Sequence, residues 1–208
     1  MSPLRIAIAK GRLFEQIRST LAQSSWVDPV RASAVSERAL RVPVSQRLEL
    51  LVVRAQDVPV YVQRGAAHAG ICGLDTILEA GGNLVELCDL GLGQCRLCLC
   101  GPEGKSTGEI RTVATKFPAL TRLVLARSGR SCELVKLSGA LELAPLVGLA
   151  DGIVDLVETG RTLRDNGLEE WETLLPISAR LFTTEANLVA RAESIAEFTR
   201  DLKRLVRV

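Results

Sequence analysis

Residues 151–163, Asp-Gly-Ile-Val-Asp-Leu-Val-Glu-Thr-Gly-Arg-Thr-Leu, combine acids, hydroxyls and a glycine in a spacing that can hold a sugar phosphate. An apolar stretch bearing Asp151 and Asp155 runs into Glu158, Thr159, Gly160, Arg161, Thr162 and Leu163. Gly160 lets the backbone approach an anion closely, and the turn that follows can aim N–H groups at it. Thr159 and Thr162 add hydroxyl donors, while Asp155 can accept hydrogen bonds from ribose hydroxyls. Four residues of extended strand cover ~13 Å, so Asp151 and Asp155 cannot both grip one ribose. Asp155, nearer the loop, is the ribose candidate, and Asp151 is expected to shape the start of the strand. Glu158 has the opposite parity and borders the loop. It stays open between sugar or magnesium contacts and a solvated surface charge.

Phosphate-rich ligands need cations. Lys10 and Arg12 flank Gly11 directly after the first apolar run, residues 4–9, where a helix start can meet phosphate oxygens. Arg54 follows the run 48–53 and offers a planar fork matched to phosphate. A Ser/His/Asp set is not apparent, because His68 is the one histidine. Lying beside an apolar strand, His68 is read as structural rather than as a catalytic base.

Six cysteines include Cys95, Cys98 and Cys100, a spacing that could suggest zinc or a redox pair. Residues 94–100 read as a strand, which would point Cys95 and Cys98 to opposite faces. A second Cys-x-x-Cys to complete four ligands is missing, so these thiols are assigned to core packing.

The 208 residues are 47% hydrophobic, 24% charged and 3% aromatic, so aliphatic side chains must fill the core. A net charge of +2 with dispersed Lys and Arg gives no basic, aromatic-interleaved patch for nucleic acid. Apolar runs fall short of the ~20 residues that span a bilayer. Lys10 interrupts the N-terminal apolar run, which therefore does not read as a secretory signal peptide. A cytoplasmic enzyme or binding protein is expected.

The elements that must position these residues alternate. Strand patterns at 4–9, 40–44, 48–53, 69–73, 84–87, 94–100, 111–114, 133–137, 152–157 and 178–183 are interleaved with helical periods. Helices are expected from about Arg12, from Asp57 as cap to Arg64, over 74–80, from Pro118 and near 140–146. A closing amphipathic helix has Leu188, Ala192, Ile195, Leu202 and Val206 on its apolar face. This argues for an α/β fold with two sub-domains and mixed, largely parallel sheets. Residues 89–93 and 170–176 read as the crossings, dividing the chain into 1–90 plus 177–208 and 91–176. Ligands in such folds sit at carboxyl ends of strands, often in the cleft between domains.

Residues 142–163, E-L-A-P-L-V-G-L-A-D-G-I-V-D-L-V-E-T-G-R-T-L, closely resemble the signature of the ATP phosphoribosyltransferases. Further blocks resemble that family in its order: A-K-G-R-L at 9–13, V-R-A-Q-D-V-P at 53–59, G-I-C-G-L-D at 70–75, C-D-L-G at 88–91, V-A-T-K-F-P at 113–118 and K-L-S-G at 136–139. His68 and Leu74 depart from the pattern, where an acidic and a more polar residue are expected. The resemblance implies a fold like the type II periplasmic binding proteins, with the active site in the cleft between sub-domains. It implies transfer of a phosphoribosyl group from phosphoribosyl pyrophosphate to N1 of ATP, opening histidine biosynthesis. On this basis Asp155, Glu158 and residues 159–163 would bind phosphoribosyl pyrophosphate. Lys10, Gly11, Arg12, Gly73 and Asp75 would bind ATP, and Arg54 with Lys10 would be the catalytic cations. Magnesium would arrive through substrate phosphates, without direct protein ligands. Ending at Val208, the chain looks like the family's short form, which implies self-association and a regulatory subunit related to histidyl-tRNA synthetase. Two other readings remain: a small-molecule binding protein of the same two-lobed fold, and a nucleobase-salvage phosphoribosyltransferase.

Overall fold

In the computed structural model, which describes residues 2–105 and 110–206, the first apolar run becomes β1 (Leu4–Lys10). Ile6, Ala7, Ile8 and Ala9 are all buried, so β1 is covered on both faces and must be central. It is followed by α1 (Phe14–Leu21), α2 (Pro29–Ala32), β2 (Arg41–Pro43) and β3 (Leu48–Arg54). A 3₁₀ turn, Ala55–Asp57, leads into α3 (Val58–Gln63), then β4 (Ala69–Gly73), α4 (Leu74–Ala80) and β5 (Leu84–Asp89). The next stretch contains β6 (Cys95–Pro102), β7 (Thr112–Thr115), α5 (Pro118–Arg127), β8 (Glu133–Lys136), α6 (Leu143–Leu146), β9 (Gly152–Val157), α7 (Arg161–Asp165) and β10 (Leu168–Ile177). The chain closes with β11 (Ala179–Thr184), α8 (Glu185–Ala190) and α9 (Ala192–Leu205).

Two compact units result: Met1–Gly93 with Ser178–Val208, and Gln94–Ile177. The first holds a sheet of order β2-β3-β1-β4-β11-β5, and the second a sheet of order β10-β6-β9-β7-β8. Parallel pairing occupies β3-β1-β4 in the first and β9-β7-β8 in the second, while the remaining pairs are antiparallel. Both sheets are therefore mixed. The first unit's core is built around Phe14, Phe182 and Phe198 with the aliphatic faces of β1, β3 and β4. In the second, Cys98 and Cys100 pack with Ala114, Ile153 and Leu163, and all six thiols are free.

Three local expectations change. Residues 170–176 are not a crossing loop but most of β10, an edge strand paired antiparallel to β6 through two register shifts. Its acidic residues and Pro176 hid it from a search for apolar runs, yet charges and proline are what an edge strand tolerates. The closing helix is two helices, separated at Arg191 (φ −137°, ψ 27°). The buried face of α9 is Ile195, Phe198, Thr199 and Leu202, with Ala192 exposed. Asp57 stands at the N-cap of α3 but makes no side-chain cap bond. Its backbone is already helical (φ −90°, ψ −21°), whereas a capping side chain works from an extended residue. Among the described residues, no helix is long and apolar enough to cross a membrane.

Candidate active site

In the second unit, β9 delivers its carboxyl end directly into the 158–160 loop and α7. Gly160 adopts φ +70°, a left-handed conformation that a side-chain-bearing residue enters at a cost of ~1–2 kcal/mol. The Arg161 amide donates to Thr159 Oγ1 at 3.4 Å, and the Arg164 amide donates to the Gly160 carbonyl at 3.2 Å. The Thr162 and Leu163 amides have no acceptor among the described residues, as expected of a first helical turn. Leu163 is buried and anchors α7 to the core, while Thr162 and Arg161 face solvent. The Arg164 guanidinium folds back onto the loop, donating to the Thr159 carbonyl at 3.2 Å. The loop thus presents amides, hydroxyls and a cation together.

Asp155 is partly buried on β9, with its Oδ2 3.3 Å from the Lys116 ammonium. Lys116 directly follows β7, whose parallel register Thr115↔Val154 sets the next residues of the two strands side by side. Lys116 carries the same sequence signal as Lys10 and Arg54, a cation immediately after an apolar strand, but nothing local connected it to Asp155. Asp151 has a different role: its Oδ2 accepts the Arg111 and Thr112 amides, each at 2.8 Å. These backbone bonds, led by that from Thr112, hold its carboxyl below the ordinary aspartate range. Glu158 lies at the exposed mouth of the loop.

In the first unit, the parallel ladder ends with Lys10 opposite Arg54. On the other side of β1, β4 pairs in the register Ile8↔Ile71 and terminates at Gly73. Lys10, Arg54 and Gly73 therefore mark the same carboxyl edge of three adjacent strands. Gly11 turns the chain away at φ +95°, and its amide donates to Glu37 Oε1 at 2.6 Å. Gly73 opens α4, and Asp75 lies buried in the first turn. A Cβ at Gly73 would lie 2.1 Å from Asp75 Oδ1, so glycine is what lets this carboxylate fold back over the strand end. Burial raises the Asp75 carboxyl above its ordinary range, opposed by the Thr76 hydroxyl at 3.3 Å and the positive charge of Arg12.

His68 stands at the other end of β4. Its Nδ1 accepts the Arg5 amide at 2.9 Å, and its carbonyl accepts the Thr183 hydroxyl at 2.6 Å. Burial, aided by the charges of Arg191 and Arg5, lowers its pKa to about 4, so it is a neutral strand-start acceptor. Among the described residues, no group of three or more His, Cys, Asp and Glu side chains could hold a metal ion.

Known proteins resemble this chain in sequence and in fold. Residues 54–204 match the ATP phosphoribosyltransferase family. An ATP phosphoribosyltransferase of Halorhodospira halophila is 43% identical over 201 residues, covering 96% of this chain and 94% of that one. The ATP phosphoribosyl transferase HisG:HisZ complex of Thermotoga maritima contains a chain that superposes with a TM-score of 0.79 at 31% identity, with 98% of each chain covered. A Candida albicans protein with the generic periplasmic-binding-protein fold matches with a TM-score of 0.58 at 13% identity, covering 100% of this chain and 71% of that one, a likeness of fold alone.

Proposed function

The chain belongs to the ATP phosphoribosyltransferase family, and from that premise we propose how its two units divide the reaction. The enzyme transfers the 5-phosphoribosyl group from phosphoribosyl pyrophosphate to N1 of ATP, releasing pyrophosphate in the first step of histidine biosynthesis. The transition state gathers positive charge on the ribose and negative charge on the departing pyrophosphate. Catalysis then requires positioning and charge stabilisation rather than a covalent nucleophile.

The second unit takes phosphoribosyl pyrophosphate. The amides and hydroxyls of residues 159–163 receive the 5′-phosphate, Asp155 accepts from the ribose hydroxyls, and Glu158 borders the sugar. The first unit takes ATP at the edge formed by Lys10, Gly11, Arg12, Gly73 and Asp75, and Arg54 with Lys10 supplies positive charge to the phosphates. The observation that carries this reading is the register Lys10↔Arg54, which sets two cations side by side at a carboxyl edge. Magnesium would travel with the substrates, because polyphosphate oxygens are its usual ligands.

The chain is a cytoplasmic enzyme in this reading. It self-associates and works with a regulatory subunit related to histidyl-tRNA synthetase, a pairing supported by the likeness to the HisG:HisZ complex. The test of function is pyrophosphate release from ATP and phosphoribosyl pyrophosphate with magnesium, repeated with adenine or hypoxanthine as acceptor. Release only with the free bases would identify a salvage transferase instead. Initial rates against histidine, with and without the second subunit, test the partner. Non-competitive inhibition of the lone chain would refute the need for one.

A further inference from the structure

The Gly11 amide is occupied by an anion that belongs to the protein. Glu37 Oε1 accepts this N–H at 2.6 Å from 26 residues away in sequence. Gly11 directly follows Lys10 at the edge proposed above to receive ATP phosphates, and its positive φ turns the chain out of β1 there. Glu37 itself is exposed, but the segment that presents it is anchored. Val35 is buried, Ala39 packs on the core, and the turn is closed by the Ala39 amide to the Ser36 carbonyl at 3.1 Å. Beyond it, the Leu40 carbonyl accepts the Val52 amide of β3 at 3.0 Å. The carboxylate is thus held against the loop by its scaffold.

We propose that Glu37 is an internal competitor for ATP, a carboxylate that occupies the Gly11 amide until a substrate phosphate oxygen displaces it. The proposal rests on the assignment of Lys10 and Gly11 to ATP. One N–H cannot serve a carboxylate and a phosphate together at full strength, and two anions converging on it repel. Binding ATP must therefore break a charge-assisted hydrogen bond that the free protein already has. Glu37 weakens ATP binding and so helps set the concentration at which the enzyme responds to ATP. The residues assigned above to phosphoribosyl pyrophosphate belong to the other unit.

The experiment is calorimetric titration of the full chain with ATP, and separately with phosphoribosyl pyrophosphate, for wild type, Glu37→Gln, Glu37→Ala and Lys10→Ala. Both Glu37 variants are expected to bind ATP more tightly, on the order of tenfold for one charge-assisted hydrogen bond no longer broken. Their affinity for phosphoribosyl pyrophosphate is expected to be unchanged. Unchanged or weaker ATP binding by both Glu37 variants, with ATP binding lost in Lys10→Ala, would overturn the competitor role and leave the ATP site standing. A gain shared equally by phosphoribosyl pyrophosphate would reduce the effect to net charge and also overturn it. Undiminished ATP binding by Lys10→Ala would remove the site assignment, and the proposal with it.

Discussion

The Lys116 ammonium lies 3.3 Å from the Asp155 carboxylate, joining the residue after β7 to an acid near the end of β9. Lys116 remains 39% exposed, so solvent screens the pair and its net worth to stability is within about 1 kcal/mol. Its value is positional: it fixes the carboxylate beside the loop that begins three residues later. Asp155→Asn is expected to weaken phosphoribosyl pyrophosphate binding about tenfold or more, the loss of a charge-assisted hydrogen bond of ~1.5–3 kcal/mol. Lys116→Met should give a smaller loss, with thermal stability nearly unchanged. Calorimetry and melting curves on both variants would check this, and a normal affinity in Asp155→Asn would remove Asp155 from the sugar site.

Asp151, directly before the same strand, should behave oppositely. It accepts two backbone amides at the start of β7. Asp151→Ala leaves both donors without this acceptor at a solvent-accessible site, for an expected loss of about 1–2 kcal/mol of stability. Affinity for phosphoribosyl pyrophosphate should stay close to wild type in the folded fraction. Urea denaturation combined with binding titration separates the two effects.

Two glycines give a paired test. At Gly160, φ is +70° and a Cβ would approach the Arg164 guanidinium to 3.1 Å. Gly160→Val should abolish phosphoribosyl pyrophosphate binding through backbone strain and a blocked approach, while leaving the fold largely intact. At Gly73, φ is −64°, so the backbone is unstrained, but a Cβ would collide with Asp75 Oδ1 at 2.1 Å. Gly73→Ala should displace Asp75 and weaken ATP instead. If each variant impaired the other substrate, the division between the units would be reversed.

His68 supplies a pH dependence. Its folded pKa is about 4 against an ordinary 6.5, so between these values the unfolded chain binds more protons than the folded one. Stability is therefore complete above pH 6.5 and is lost as pH falls toward 4. About 1.5 kcal/mol should disappear between pH 6.5 and pH 5, less than the full ~1.36 kcal/mol per unit because the unfolded histidine is already half protonated at pH 6.5. His68→Asn should remove much of that slope while leaving kcat at neutral pH unchanged. Denaturation curves at the two pH values and a rate assay would decide it, and a collapse of kcat in His68→Asn would contradict the structural role.

Local signals in the sequence determined which segments become strands and helices, because apolar periodicity and turn residues act over a few residues. They placed Lys10 and Arg54 at strand ends and put Asp155 just before the Thr159–Gly160 turn. They failed at β10, whose charged edge lacks an apolar run, and at the join of α8 and α9, where helical periodicity continues past Arg191. Only the tertiary structure decided that Lys10 stands beside Arg54, that Lys116 meets Asp155, and that Glu37 reaches the Gly11 amide. Those contacts depend on strand register and chain return, set by hydrogen bonding and burial between segments far apart in sequence. No window along the chain contains both partners.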